Sequence, residues 1–172
     1  VYQSTLYNCT LNSNISSLGA GGAYQSTLYN CIVTANHGST GGAQSCTNYD
    51  CTFTGNSGND GGGADGGVGY SCRFIGNSAA NGGGALGGIF YNCLFTTNWA
   101  NFGGGVQNGK LLNCTVVGNT ATNSGGGVAN STAFPVYNSI VYYNTALGGS
   151  SSNQSGETLS FCCTTPVILA DS

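Results

Sequence analysis

Charge is what this chain has least of. Of its 172 residues only 4% are charged, with Arg73 and Lys110 as the only cations against five acids, where a typical globular chain has roughly a quarter. Two cations give no electrostatic footprint for nucleic acid or for an anionic membrane surface, so neither is expected as a partner. No apolar run approaches the roughly 18 residues that span a bilayer, and membrane insertion is not expected. No basic-then-apolar leader precedes Val1. Methionine is absent, so Val1 does not read as a translation start, and the chain reads as a processed product or a piece of something longer. His37 is the only histidine, which leaves triad and zinc readings without a partner motif.

Glycine and cysteine, by contrast, are plentiful, with 31 and nine residues, and both recur on a fixed period. The phrase "TLYNCTLNSN" at Thr5 to Asn14 returns as "TLYNCIVTAN", "TNYDCTFTGN", "VGYSCRFIGN", "IFYNCLFTTN" and "KLLNCTVVGN". Cysteine occupies Cys9, Cys31, Cys51, Cys72, Cys93 and Cys114, with Ser139 in the next copy, at steps of 22, 20, 21, 21, 21 and 25 residues. Five residues after each of these lies an asparagine: Asn14, Asn36, Asn56, Asn77, Asn98, Asn119 and Asn144. Each copy then runs into a glycine cluster that ends "GGA" or "GGV", eight residues before the next cysteine except in the last copy, where an insertion holds Pro135. A period near 21 residues is the mark of a solenoid.

Within "CTFTGN", Cys51 and Phe53 alternate with Thr52 and Thr54, the period-two pattern of a strand. The second apolar row, Leu11, Val33, Phe53, Phe74, Phe95, Val116 and Val141, favours β-branched and aromatic types that suit a pleated surface. No stretch has a helical period. The chain therefore reads as an all-β, right-handed parallel β-helix of about eight rungs, each of about 21 residues forming three short strands and three turns. One domain is expected over 1–172, beginning in mid-coil, with an irregular C-terminal rung or capping segment over 145–172.

In such a coil like residues stack about 4.8 Å apart. The asparagines are expected to sit at a bend, tolerating left-handed backbone angles, with each amide donating to one neighbour and accepting from the other. The cysteines form a second ladder. Rungs about 4.8 Å apart hold Cβ atoms wider than the ~3.8 Å a disulfide prefers, and buried cysteine also serves as a small apolar residue, so free stacked thiols are favoured over bridges. Cys46 lies outside the ladder, and Cys162 and Cys163 fall in the terminal segment. Two residues before each cysteine runs an aromatic row that includes Tyr49, Tyr70 and Tyr91. Simple alternation turns it inward; a bend turns it outward as a strip able to contact sugar rings or another fibre. Both readings stand.

The "FxxN" phrases (Phe53 to Asn56, Phe74 to Asn77, Phe95 to Asn98) together with "GGA" resemble the repeats of chlamydial polymorphic membrane proteins. The full phrase, with the ending "SFCCTTPVILADS", is similar to bacterial right-handed β-helix repeat proteins of the choice-of-anchor type. The resemblance implies a secreted, often surface-attached protein. It specifies fold rather than activity, because the matching residues are rungs and not a site.

Enzymatic β-helices use clustered carboxylates, and only Asp60 and Asp65 lie near each other in sequence, where two solvated turn residues are the plainer reading. "GNDGGGADGG" fails the spacing of a calcium nonapeptide, and neighbouring rungs offer no carboxylate. No helix follows the glycine runs as a phosphate loop requires. No catalytic, cofactor or metal residue is therefore assigned. Sequons occur at Asn8, Asn14, Asn113, Asn130 and Asn153, permitting N-glycosylation without indicating it. Trp99, just after a bend asparagine, joins the tyrosines as a candidate surface contact. The expected function is a non-catalytic extracellular or cell-surface stalk or fibre subunit that stacks end to end or continues into further repeats. A carbohydrate-binding adhesin is the alternative, and a polysaccharide-degrading enzyme comes third.

Overall fold

The computed structural model describes residues 1–129, 133–148, 151–156 and 159–164. Those residues hold strands and no helix; in particular, none of them forms a helix long and apolar enough to cross a membrane. The chain winds as a parallel β-solenoid. Two sheets have eight strands each, a third has seven and a short fourth has three, so about seven turns are completed at roughly 21 residues per coil. One coil shows the plan: Ala64–Asp65 in the third sheet, Val68–Tyr70 in the first and Arg73–Ile75 in the second. The strands of these three sheets are two or three residues long because a corner follows each of them.

Register is what makes columns. Phe53, Phe74 and Phe95 are directly paired, as are Tyr49, Tyr70 and Tyr91, so side chains of one kind stand above one another along the axis. The phenylalanine rings stack at 4.8 and 4.6 Å and are fully buried. Fully burying each such ring contributes about 1.5–3 kcal/mol. Room for them comes from the "GG" clusters: a Cβ on Gly63 would lie 2.8 Å from the Phe74 ring, and one on Gly84 would lie 2.8 Å from Phe95. Phe90 fills the opposite wall edge-on to Phe74 and Phe95 at 5.4 and 5.2 Å.

Two corners use one device throughout, a residue with left-handed φ followed by an inward side chain that hydrogen-bonds, and a third uses it in its first coils. Before the asparagine column the left-handed residues are Ser13, Ala35, Gly55, Gly76, Thr97, Gly118 and Tyr143, with φ of 51 to 66°. This corrects the expectation that the asparagine itself takes the left-handed angle: the preceding residue turns the chain, and the asparagine faces inward to hold the turn closed. Between tyrosine and cysteine the left-handed residues include Asn30, Asp50, Ser71 and Asn92. The turn cancels simple alternation there, so tyrosine and cysteine, two residues apart, point to opposite sides. The third corner follows the "GGA" strand, where Gln25 and Ser45 precede the buried Ser26 and Cys46.

Candidate functional site

The asparagine column is a continuous hydrogen-bonded ladder. Asn77 Oδ1 accepts from the backbone N–H of Asn56 at 3.0 Å and from Asn56 Nδ2 at 2.9 Å. Asn77 Nδ2 donates onward to Asn98 Oδ1 at 3.1 Å and back to the Phe53 carbonyl at 3.0 Å. Both donors and both acceptor lone pairs of the amide are thus used. Asn36, Asn56, Asn98 and Asn119 repeat the pattern, all five being at most 1% exposed. Asn14 donates to Asn36 from the exposed first rung, and Asn144 donates to Asn153 Oδ1 at 3.2 Å. Asn153 is therefore a further member of the ladder, which the 21-residue spacing did not reveal.

The cysteines of the second ladder form a buried column, with Cys31, Cys51, Cys72, Cys93 and Cys114 at 0–2% exposure and Cys9 half-buried at its open end. None of the nine cysteines is bonded to another. Each thiol donates to the carbonyl two residues before it, as Cys72 does to Tyr70 at 3.3 Å, and several donate also to a carbonyl of the preceding rung. Donating their thiol hydrogens to the adjoining sulfurs of Cys72 and Cys114, followed by burial, pushes Cys51 and Cys93 up, and the same hydrogen bonds push Cys72 and Cys114 down. Ser139 takes the next place, its hydroxyl accepting from the Cys114 N–H at 3.0 Å and donating to the Tyr137 carbonyl at 2.7 Å. Cys162 continues the column by donating to the carbonyls of Ser160 and Val136. Cys46, off this column, performs the same task at the third corner: it accepts from the Ser26 N–H at 3.3 Å and donates to the Gln44 carbonyl. Burial pushes its thiol up.

The aromatic row faces outward. Tyr70 is 37% exposed, and the Tyr29, Tyr49, Tyr70 and Tyr91 rings stack at 4.7 to 5.1 Å within 6° of parallel. Tyr29, Tyr49 and Tyr70 thus have a ring against each side. Trp99 belongs to the fourth sheet, in the strand Trp99–Phe102. The structure does not join it to the tyrosines in one surface site. It stands 43% exposed beside a shallow groove of about 270 Å³ floored by Gly58, Ser78, Ala79 and Ala80.

The sequons divide by environment. Asn8 and Asn113 project from the left-handed corner beside the cysteines and are exposed. Asn14 and Asn153 are engaged in the ladder, and Asn130 lies outside the described residues. His37 sits on the surface with Nδ1 2.8 Å from Ser57 Oγ. No three His, Cys, Asp or Glu side chains among the described residues converge on one point.

The two candidate carboxylates have separate partners. Asp60 Oδ1 accepts from Asn81 Nδ2 at 2.9 Å. Asp65 Oδ2 accepts from Gln44 Nε2 at 3.1 Å and from Thr40 Oγ1 at 3.4 Å. Burial raises the Asp65 carboxyl above its ordinary range, with the Asp60 charge acting in the same sense and those two hydrogen bonds opposing. Between the ordinary and raised values the folded chain binds more protons than the unfolded one, so stability falls as pH rises. Asp65→Asn, which keeps an acceptor for Gln44, is expected to flatten that slope from the ordinary carboxyl range upward. It should leave the protein at least as stable at neutral pH. Melting curves of the two proteins across that range check this; parallel curves would remove Asp65 as the source of the slope.

Comparison with protein-family models, with curated proteins and with solved structures finds no match to this chain.

Proposed function

We propose that this chain is a non-catalytic structural protein of the cell exterior, a β-helical stalk or fibre segment. The observation that carries the reading is the asparagine ladder: its donors and acceptors are spent along the axis, from rung to rung. A stack of eight levels at about 4.8 Å makes a rod of about 35 Å. An exterior setting fits a surface wetted by neutral polar side chains rather than by charge. The resemblance of the repeat phrase to surface-attached β-helix proteins of the choice-of-anchor type supports the same setting.

Extension would use the ladder's own bonds: from Asn36 on, each Oδ1 of the column accepts two N–H bonds from the neighbouring rung, and Asn14 on the first rung carries the same amide. The same rung exposes Tyr2, Ile15 and Leu18 at 62, 81 and 93%. An added rung of the same kind, from a second copy or from more of the same chain, completes the ladder and covers that apolar surface. Light scattering with negative-stain imaging tests this. Particles of constant width whose length grows with concentration are expected. A single-chain particle at every concentration overturns self-stacking, and sugar release from a polysaccharide panel overturns the non-catalytic reading.

One observation favours carbohydrate binding as a second reading: Trp99 stands exposed over a floor of small residues, without a stacked ring on it. A sugar ring could pack there, whereas the stacked tyrosines largely occupy one another's faces. Glycan-array binding that is lost in Trp99→Ala is the expected result. Unchanged binding, or none, rejects this reading.

A further inference from the structure

We infer that the outer face of the second sheet, over its last four described strands, is a side-to-side docking surface for a second copy of this chain, the two copies packing face to face about a twofold axis. The strands are Leu94–Thr96, Thr115–Val117, Ile140–Tyr142 and Cys163–Thr164, paired in that order and in register. Their outward positions run from Leu94 and Thr96 to Ile140, Tyr142 and Cys163 without a charged side chain. Arg73, one strand earlier, marks the boundary.

The two corners that bound this face supply a second observation. At the corner before the sheet the left-handed residue is Asn, Asp or Ser from Asn8 to Asn138, and then Phe161 with φ of 55°. At the corner after it the residue is Ser, Ala, Gly or Thr from Ser13 to Gly118, and then Tyr143 with φ of 51°. Left-handed angles crowd a Cβ against the backbone and suit bulky residues least. Phe161 and Tyr143 are the only aromatic residues among the described ones to take them. Neither ring packs into the core: they stand 91 and 71% exposed, with Tyr143 braced edge-on by Tyr142 at 4.2 Å. Strain of that kind persists where function holds it, and here it sets an exposed ring on either side of one face.

Area and charge select the occupant. Phe161, Tyr143 and Ile140 alone leave roughly 400 Å² of apolar surface uncovered, as much as the largest patch on an ordinary monomer. With the flat strands between them, two copies bury roughly 1,000 Å² in all, the lower bound for a specific contact, so the pairing is reversible. A pleated face with one rung spacing is met by another of the same spacing, side chains interdigitating across about 10 Å. Because the face carries no charge, two identical copies meet without like-charge repulsion. Each copy uses its face once, so the assembly closes at two. The contact lies on the side of the rod and stands whether or not rungs also stack end to end.

Sedimentation velocity and thiol labelling of the full chain test the face. Single chains are expected to convert to pairs as concentration rises; where rods also stack end to end, negative-stain images show them two chains wide. Phe161→Asn and Tyr143→Gly introduce residue types that these corners carry elsewhere. Each is expected to weaken pairing at least about tenfold without lowering the melting temperature. Cys163, the one exposed cysteine, reports from the face itself. Its labelling by a maleimide, read by peptide mass mapping, should slow as the wild-type concentration rises and stay constant in the variants. Width and Cys163 protection report this contact and length reports stacking, so either can fail alone. Pairs that persist unchanged in both variants, or single chains at every concentration, would overturn the assignment. So would protection of Cys163 that does not depend on concentration, which would mean that the chain covers its own face, or partition onto neutral phosphatidylcholine vesicles in place of pairing.

Discussion

Gly83→Ala is expected to cost more than about 4 kcal/mol or to prevent folding, while Gly76→Ala, seven residues away, costs about 1–2 kcal/mol. At Gly83 a Cβ would lie 2.4 Å from the Trp99 carbonyl oxygen and 2.5 Å from that of Gly104. Both are backbone atoms of the following rung. They cannot withdraw, because Gly83 N–H bonds the Gly103 carbonyl at 3.0 Å and Gly84 N–H bonds that of Gly104 at 3.1 Å. Gly76 has φ of +61°, but its absent Cβ points into space whose nearest atom is Thr97 Oγ1 at 3.9 Å. The same corner position carries Ala35 and Thr97 elsewhere in the stack, so a side chain there is already tolerated. Urea unfolding of the two variants separates the cases; equal midpoints would mean that the glycine clusters are not load paths between rungs.

That contrast shows why the fold was legible in the sequence and some of its details were not. Parallel in-register stacking forces like residues onto like, so the period, the apolar row and the asparagine and cysteine columns could be read directly. The direction of the tyrosines could not. It depends on the φ of the residue between tyrosine and cysteine; that position holds Asn8, Asn30, Asp50, Asn92, Asn113 and Asn138, with Ser71 once, types that tolerate left-handed angles without saying that the angle is taken. The same holds before the asparagines, where Ser13, Ala35, Gly55, Thr97 and Tyr143 all take left-handed angles. Asparagine was credited with the bend because it is the constant residue, yet what stays constant is the side chain that closes the bend.

Non-periodic substitutions were equally hidden. Asn153 joins the ladder nine residues after Asn144, reaching it from the strand side of the coil rather than from the equivalent corner one turn on. Cys162 belongs to the cysteine column although the insertion around Pro135 and the serine at 139 obscure its row. Phe90 swings over Gly69, where a Cβ would meet its ring at 2.9 Å, so a large residue on one rung answers a missing side chain on the rung before. Only packing in three dimensions pairs those two. The sequence left Trp99 between an exposed platform and packing against a turn, and its separation from the tyrosine strip required knowing that the later coils add a fourth sheet.

If polar groups directed along the axis are what make the rod, a mid-ladder asparagine should matter far more than the one at the open end. Asn77→Ala removes the acceptor of the Asn56 N–H and of one Asn56 amide proton, and the donor to the Phe53 carbonyl. Each buried group left unpaired costs about 1–3 kcal/mol, and the losses share one neighbourhood, so about 3–5 kcal/mol is expected. Asn14→Ala loses its donation to Asn36 Oδ1 at a solvent-exposed site where water substitutes, and about 1 kcal/mol or less is expected. Asn77→Asp sharpens the test. A carboxylate keeps the acceptors for Asn56 but sets negative oxygen against the Phe53 carbonyl and Asn98 Oδ1, which raises its pKa in the folded chain. Its folded state then binds more protons than its unfolded state, so this variant gains stability as pH falls through the raised value. Denaturation midpoints at neutral and acid pH decide the matter. Equal midpoints for Asn14→Ala and Asn77→Ala would mean that the column carries no axial coupling, and the stalk reading would lose its physical basis.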